Sequence, residues 1–172
     1  MARILIVLFC AFLFACAAPS AFRQGIYAYE SGNIQEAIKQ FSIVIKEYPK
    51  NAYIYYMRGN AHRNLGDYQK AIADYTRAIK LDPNYADAYY NRAGAYNHLG
   101  YANKAIADYG QTIKIDPNYI GAYNNRGLIY FNLTDYEKAT QDAKKTCELG
   151  RCNALEYLKE NNLTRYLAPN KY

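Results

Sequence analysis

Tryptophan is absent from this chain of 172 residues, and histidine and methionine occur only twice each. After the N-terminal leader, no apolar run approaches the roughly 18 residues that a membrane-spanning helix needs. Basic residues outnumber acidic ones by 21 to 15, but the surplus is spread along the chain. Proteins that bind nucleic acid usually concentrate their basic residues on one segment or face. We therefore expect no nucleic-acid partner and no membrane span beyond the leader.

Motifs of catalytic and metal sites are also missing. The sequence contains no His-Glu-x-x-His, no glycine-rich phosphate loop and no Gly-x-Ser-x-Gly. His62 and His98 are far apart in sequence, and we expect His62 to have a packing role. Cys147 and Cys152 lack the second cysteine pair and the nearby histidine of a structural zinc site. These absences predict a protein that is not an enzyme and that uses no metal or cofactor.

Tyrosine, in contrast, is present in excess. The chain contains 21 tyrosines, and apolar residues make up 51% of it. This apolar share is enough for a packed core and argues against wholesale disorder. Because a generic core needs far fewer tyrosines, their number indicates a repeated motif.

The first twenty residues have the form of a secretory signal. One basic residue, Arg3, precedes an apolar run over residues 4–15, and small residues follow. We assign residues 1–17 to the signal peptide, and two kinds of processing fit it. The small residues at positions 15–20 suit a general signal peptidase. Alternatively, Leu13-Phe14-Ala15-Cys16 resembles the lipobox of bacterial lipoproteins, in which the cysteine is the lipid-attachment residue.

Export predicts a location in the periplasm or the outer membrane of a bacterium. The protein would contact the membrane only through a lipid on Cys16. Such a compartment permits disulfides, and Cys147 and Cys152 stay in the folded body, with Gly150 placed between them to end a helix. A tight turn between two helices can bring two Cα atoms into disulfide range. We predict a disulfide between Cys147 and Cys152; two buried thiols are the alternative.

The rest of the chain is a series of sequence repeats. The segment Tyr55-Tyr56-Met57-Arg58-Gly59 recurs as Tyr89-Tyr90-Asn91-Arg92-Ala93 and as Tyr123-Asn124-Asn125-Arg126-Gly127, at the same interval each time. A repeat period of a few tens of residues, as between these segments, is typical of repeat architectures. We divide the chain into residues 18–51, 52–85, 86–119 and 120–153, which we call repeats 1 to 4.

Each repeat has the pattern of two helices. In repeat 2, apolar residues follow helical spacing over residues 54–65 and again over residues 68–81. Gly66 between them suits a left-handed helix end. Pro83 ends the second helix, because the residue before a proline is pushed out of helical geometry. Apolar residues at helical spacing within residues 154–172 predict one further helix, followed by a tail.

This pattern resembles the tetratricopeptide repeat family. Repeat 2 carries the signature residues of that family, namely Tyr55, Gly59, Ala71, Tyr75 and Pro83. Repeat 4 departs from the signature, with Ala143 at the second aromatic position and Arg151 at the proline position. The resemblance implies an all-α fold: a right-handed α-solenoid of four helix-turn-helix repeats with a C-terminal capping helix.

Seven of the tyrosines fall at positions where helices pack within and between repeats. They are Tyr55, Tyr75, Tyr89, Tyr96, Tyr109, Tyr123 and Tyr130. We expect their rings to fill the core while their hydroxyls reach its edge.

An arginine and an aspartate recur at a fixed separation in repeats 2 to 4. The pairs are Arg58 and Asp74, Arg92 and Asp108, and Arg126 and Asp142. Repeat 1 has Gln24 and Gln40 at the two positions, so both positions change together. We therefore predict a partly buried Arg–Asp pair in each of repeats 2 to 4; two solvated charges are the alternative.

The resemblance also places a partner-binding groove, because in this family the first helix of each repeat lines the concave face. One stripe of each first helix packs and another stays exposed. We predict that the exposed stripes comprise Tyr53, Tyr56, Asn60, Arg63 and Asn64 in repeat 2, Asp87, Tyr90, Asn91, Asn97 and His98 in repeat 3, and Asn124, Asn125, Leu128 and Phe131 in repeat 4. Asparagine amides can bond an extended peptide backbone. A solvated polar face without a ligand is the alternative.

The sequence thus predicts a non-catalytic adaptor or scaffold of the bacterial cell envelope that binds a protein or peptide in this groove. Some relatives bind a C-terminal carboxylate through several basic residues, but only Arg63 is available here. Two other functions stay open. One is a structural component of an envelope assembly that binds through its convex face or its ends. The other is an accessory protein that binds glycan or peptidoglycan through stacking tyrosines.

Overall fold

The computed structural model describes residues 20–160. Over this range the chain forms nine helices and no strand, which confirms the predicted all-α class. The helices are α1 (Ser20–Glu30), α2 (Ile34–Glu47), α3 (Ala52–Asn64), α4 (Tyr68–Leu81), α5 (Ala86–His98), α6 (Ala102–Ile115), α7 (Ile120–Asn132), α8 (Tyr136–Glu148) and α9 (Asn153–Glu160). Within the described range, no helix is long and apolar enough to span a membrane. Cys16, the signal segment 1–17 and the tail after Glu160 lie outside that range.

Each of the four repeats contains two helices joined by a short turn. At this turn Gly66 has a φ of 77°, the left-handed conformation that its position predicts. Gly32 and Gly100 occupy the equivalent turns with φ of 81° and 78°. In repeat 4 the same position holds Thr134, whose φ is 62°. The turn therefore has one geometry throughout, but only three of the four repeats have the residue that suits it.

The first of two compact units comprises α1 to α4, and the boundary between the units falls after Leu81. Consecutive helices pack on one another throughout this unit. Its core contains mostly small residues around one aromatic ring: Ala28, Ala37, Phe41, Val44 and Ile54. Phe41 is fully buried there, and its ring packs among the aliphatic side chains.

The second unit comprises α5 to α9 and is built in the same way. Its main core contains Ala93, Ala105, Tyr109, Ala122 and Ile129. A smaller cluster joins α8 to α9 through Ala143, Leu155 and Leu158. Tyr157 on α9 follows Tyr123 by one repeat period, so α9 continues the register of the repeats and takes the place of one more first helix.

Candidate partner-binding site

Buried ion pairs fix the first helix of a repeat against the second. Arg58 on α3 donates from Nε to Oδ2 of Asp74 on α4 at 2.8 Å, and from Nη2 to Oδ1 at 2.7 Å. The same bidentate geometry, with distances of 2.7 to 2.9 Å, recurs in the pairs Arg92–Asp108 and Arg126–Asp142. Hydrogen bonding to Asp74 raises the pKa of Arg58 above its ordinary value. The predicted Arg–Asp pairs are confirmed.

Repeat 1 has glutamines in place of such a pair. Gln40 is buried and donates to Glu36 on its own helix at 2.6 Å, while Gln24 is exposed. The two glutamine positions therefore lack the cross-helix bond that the charged residues make in the other repeats.

Tyrosine rings flank the same arginines. The guanidinium carbon of Arg92 lies 5.5 Å from the ring centroid of Tyr89 and 5.9 Å from that of Tyr96. Arg126 lies in the same way between Tyr123 and Tyr130, at 5.8 and 5.9 Å. These distances are within the range of cation–π attraction. The tyrosines predicted to pack thus also stabilise the charge of the buried arginines.

His62 replaces one of these tyrosines in repeat 2. Only 12% of its side chain is exposed, and its Nδ1 is buried with no hydrogen-bond partner. Its Nε2 lies 3.9 Å from Oδ2 of Asp74. Burial lowers the pKa of His62 below its ordinary value. The histidine is a packed residue, as the sequence predicts.

Aromatic ring pairs lie between the first and second helices of repeats 1 to 3. The pairs are Phe22–Phe41, Tyr56–Tyr75 and Tyr90–Tyr109, with centroids 6.4, 6.1 and 5.5 Å apart. The second ring of each pair is buried in the core, and the first ring covers it from the side of the first helix. Repeat 4 has Asn124 and Ala143 at these two positions and contains neither ring.

The tyrosine hydroxyls of these pairs bond to asparagines of the first helices. Tyr75 donates to Oδ1 of Asn60 at 2.8 Å. Asn125 donates to the hydroxyls of Tyr90 and Tyr109 at 3.0 and 3.3 Å. Burial raises the pKa of Tyr109 to about 12, so its hydroxyl stays protonated. These asparagine amides therefore make hydrogen bonds within the protein.

The predicted exposure of two groove residues is wrong. Asn60 and Asn91 are only 7% and 8% exposed, so neither can reach a partner. Tyr90 is half-buried and packs between Tyr109 and Tyr119, with ring centroids 5.5 and 4.8 Å away, so part of its ring is used inside the protein. Tyr56 likewise covers the ring of Tyr75.

The remaining predicted residues reach the surface to different degrees. In the first unit, Tyr53 and Asn64 are exposed and Arg63 is half-buried. In the second unit, Asn125 and Phe131 are half-buried, and we call its five exposed residues the exposed stripe: Asp87, Asn97, His98, Asn124 and Leu128. Asn64 donates to the hydroxyl of Tyr29 at 3.1 Å, and Asp87 accepts from that of Tyr119 at 2.8 Å. Among these predicted residues, Leu128 is the apolar side chain with the largest exposed fraction, 57%.

A cleft of about 260 Å³ opens in the second unit between α7, α8 and α9. Three residues predicted for the groove line it on α7: Asn124, Leu128 and Phe131. Ala143 lies on its α8 side, and Leu158 on its α9 side. None of its lining side chains is charged. An aromatic pair of the chain itself forms one wall, since Phe131 and Tyr157 meet edge to face at 6.1 Å.

Comparison with known families agrees with this architecture. Two models described as tetratricopeptide repeat match the chain, one over residues 22–84 and 56–120 and the other over residues 109–141. The matches span well over half of the sequence. The chain belongs to the tetratricopeptide repeat family. No curated protein matches it in sequence.

Solved structures show the same tetratricopeptide repeat (TPR) solenoid. The crystal structure of MamA is 28% identical, with 88% of this chain and 86% of that chain covered and a TM-score of 0.74. The first TPR of Spaghetti (RPAP3), bound to the HSP90 peptide SRMEEVD, is 29% identical over 69% of this chain and 94% of that chain, with a TM-score of 0.61. The OM64 TPR domain of Arabidopsis is 30% identical over 67% and 95%, with a TM-score of 0.60.

A disulfide joins α8 to α9 in this TPR protein. Cys147 near the end of α8 and Cys152 just before α9 are joined by a disulfide, with their Cα atoms 4.0 Å apart. The α9 wall of the cleft was not predicted, although Leu158 follows Asn124 at the repeat period and could have been found from it. In the part of the chain that the structure describes, no group of three histidine, cysteine or acidic side chains could hold a metal ion.

Proposed function

We propose that this TPR protein is a non-catalytic adaptor of the bacterial cell envelope that holds a segment of a partner protein against its exposed stripe. The observation that carries the proposal is the composition of that surface on α7. Leu128 is an exposed apolar side chain, and Asn124 presents its amide one helical turn away. An apolar anchor next to an amide suits an extended polypeptide, which offers side chains and backbone bonding groups together.

The family supports a polypeptide partner. The first TPR of Spaghetti is bound to a peptide, and it is 29% identical to this chain. Most of the exposed stripe of this chain is uncharged, with Asp87 as its one acidic residue. We therefore expect a partner segment recognised by apolar and backbone contacts rather than by a cluster of carboxylates.

Selection of peptides from a random display library would test the adaptor function on the purified exported protein. Selected peptides should bind the parent protein and lose at least tenfold in affinity for the double variant Asn97→Ala/His98→Ala, which changes two residues of the exposed stripe. Both side chains are exposed, so the variant should keep its fold. Gln69→Ala/Gln111→Ala changes exposed residues on second helices and is the matched control. Loss of binding in the control alone would contradict the proposal and favour the convex face.

Location in the envelope rests on the leader over residues 1–17 and is tested separately. We expect the protein in the envelope fraction of a bacterial host, with a mass that shows removal of the leader. A lipid-bearing Cys16 or a plain cut near positions 15–20 would both support export. A full-length chain that stays in the cytoplasm would contradict it.

A further inference from the structure

Repeat 4 lacks both rings of the pair that fills the other repeats. In repeat 3, Tyr90 covers Tyr109 with centroids 5.5 Å apart. Asn124 and Ala143 follow these two tyrosines by one repeat period. A short amide and a methyl group therefore occupy positions that hold two six-membered rings elsewhere in the molecule.

Repeat 4 retains the glycine that lies against the ring in repeats 1 and 2, whereas repeat 3 has Ala93 there and still holds its ring. In repeat 2 a Cβ on Gly59 would come within 2.7 Å of Cε1 of Tyr75, so the ring lies directly against the helix backbone. Gly127 is the equivalent residue in repeat 4. A Cβ there would meet Cβ of Asp142 at 3.1 Å and no ring within 4 Å. The space beside Gly127 thus lacks the ring that repeats 1 and 2 place there.

The cleft between α7, α8 and α9 is this space. Its α7 wall includes Asn124 and Leu128, which are equivalent to Tyr56 and Asn60. In repeat 2 those two residues contact the ring and the hydroxyl of Tyr75. The cleft volume of about 260 Å³ is ample, because an apolar cavity of about 150 Å³ is enough for benzene.

We propose that the cleft is a pocket for one aromatic side chain, phenylalanine or tyrosine, of the partner segment. The inference rests on the proposed adaptor function. Leu128 and Leu158 supply apolar walls, and the edge-to-face pair of Phe131 and Tyr157 shows the aromatic contacts that the walls support. The uncharged lining offers no counter-ion to a lysine or glutamate. Asn124, which stands at the position of Tyr56, can bond a tyrosine hydroxyl or the partner backbone through its amide.

Side-chain analogues test the pocket without knowledge of the partner. N-acetyl-tyrosinamide and N-acetyl-phenylalaninamide should shift the methyl NMR signals of Leu128 and Leu158 in a saturable way. N-acetyl-leucinamide should bind at least severalfold more weakly, and N-acetyl-lysinamide should give no saturable shift. Ala143→Phe places a ring in the pocket from within, so it should abolish these shifts. Ala107→Phe changes an alanine on α6, away from the cleft lining, and should leave them unchanged.

Asn124→Tyr is the second variant, because its position is exposed and the change should not disturb folding. It should also weaken binding of both aromatic probes. Undiminished binding to folded Ala143→Phe and Asn124→Tyr would overturn the pocket. Equal binding of the leucine analogue would overturn its aromatic specificity. Probe binding that appears only after Tyr166→Ala would assign the pocket to the chain's own tail, which lies outside the described residues, and would overturn the partner assignment.

The pocket and the adaptor function can fail separately. Library peptides that bind Ala143→Phe as well as the parent, but not Asn97→Ala/His98→Ala, would overturn the pocket and leave the adaptor function standing. Aromatic probes that bind in the cleft while no peptide is selected would overturn the adaptor function. Selected peptides with a shared aromatic residue, whose binding falls at least tenfold in Ala143→Phe, would support both.

Discussion

Arg92 and Asp108 join the two helices of repeat 3 through parallel hydrogen bonds, from Nε at 2.7 Å and from Nη2 at 2.8 Å. The aspartate is buried, so its charge depends on this arginine for compensation. Replacement of a whole buried ion pair is often nearly neutral, but removal of one member leaves an uncompensated charge and costs about 3–5 kcal/mol. The pair thus sets the register of α5 on α6 more than it adds net stability.

We expect Asp108→Ala to lower the free energy of unfolding by about 3 kcal/mol because the half-buried Arg92 loses the carboxylate that compensates its charge. The double variant Arg92→Gln/Asp108→Gln installs the residues that repeat 1 has at these positions. Its loss should be smaller than the sum of the two single glutamine variants, with a coupling of at least about 1 kcal/mol. Urea unfolding of the four proteins measures this cycle. Strictly additive losses would show that the pair does not interact.

The fold and these ion pairs could be predicted because each depends on periodicity. A constant repeat period with Gly66 and Pro83 at fixed places defines helices, turns and their order. Repeat 1 has Gln24 and Gln40 where the other repeats have an arginine and an aspartate. Because both positions change together, the two side chains were expected to be in contact.

The surface could be predicted only in part. Helical spacing places Asn60 on the same face of α3 as Tyr53, but that face is wide and its inner edge is buried. The hydroxyl of Tyr75 on the neighbouring helix needs a partner, and it draws the Asn60 amide inward. A one-dimensional pattern does not contain that requirement. The cleft depends on three elements at once, and the sequence showed only that Ala143 departs from the repeat pattern.

Thr134 should be a source of strain. Its φ of 62° is left-handed, whereas the equivalent residues Gly32, Gly66 and Gly100 are free of the steric cost that a side chain brings there. Thr134→Gly should therefore raise the free energy of unfolding by about 1 kcal/mol. Gly100→Thr should lower it by a similar amount or more. Thermal and urea unfolding check both changes, and a destabilised Thr134→Gly protein would contradict the strain.

The Cys147–Cys152 disulfide should hold α9 against α8. It closes a short loop, so its entropic contribution is about 2 kcal/mol. We expect reduction, or the double variant Cys147→Ser/Cys152→Ser, to speed amide hydrogen exchange in α9 and to leave exchange in α1 and α2 unchanged. Loss of α9 docking should also abolish binding of the aromatic probes. Mass spectrometry of the unreduced exported protein must show the bond, and two free thiols would disprove it.

His62 should make stability depend on pH. Its pKa is lowered first by burial and further by the nearby positive charges of Arg58 and Lys70, against an opposing effect of Asp74 and Asp67. Tyrosines stand at the equivalent positions in repeats 3 and 4 and do not change charge near neutral pH. Among repeats 2 to 4, repeat 2 is therefore the one whose side chain at this position changes charge near neutral pH.

The folded protein binds the His62 proton less tightly than the unfolded chain does, whose histidine pKa is about 6.5. The contribution of His62 to stability is therefore complete above about pH 6.5 and is lost as pH falls towards the lowered pKa of the folded state. The slope cannot exceed about 1.4 kcal/mol per pH unit for one proton. We expect His62→Tyr to remove this part of the pH dependence measured by urea unfolding between pH 7.5 and pH 5 (roughly the range over which histidine titrates). His98→Tyr, a change of an exposed histidine, is the control and should keep the parent slope. An unchanged slope in His62→Tyr, or the same flattening in His98→Tyr, would show that the buried histidine is not its source.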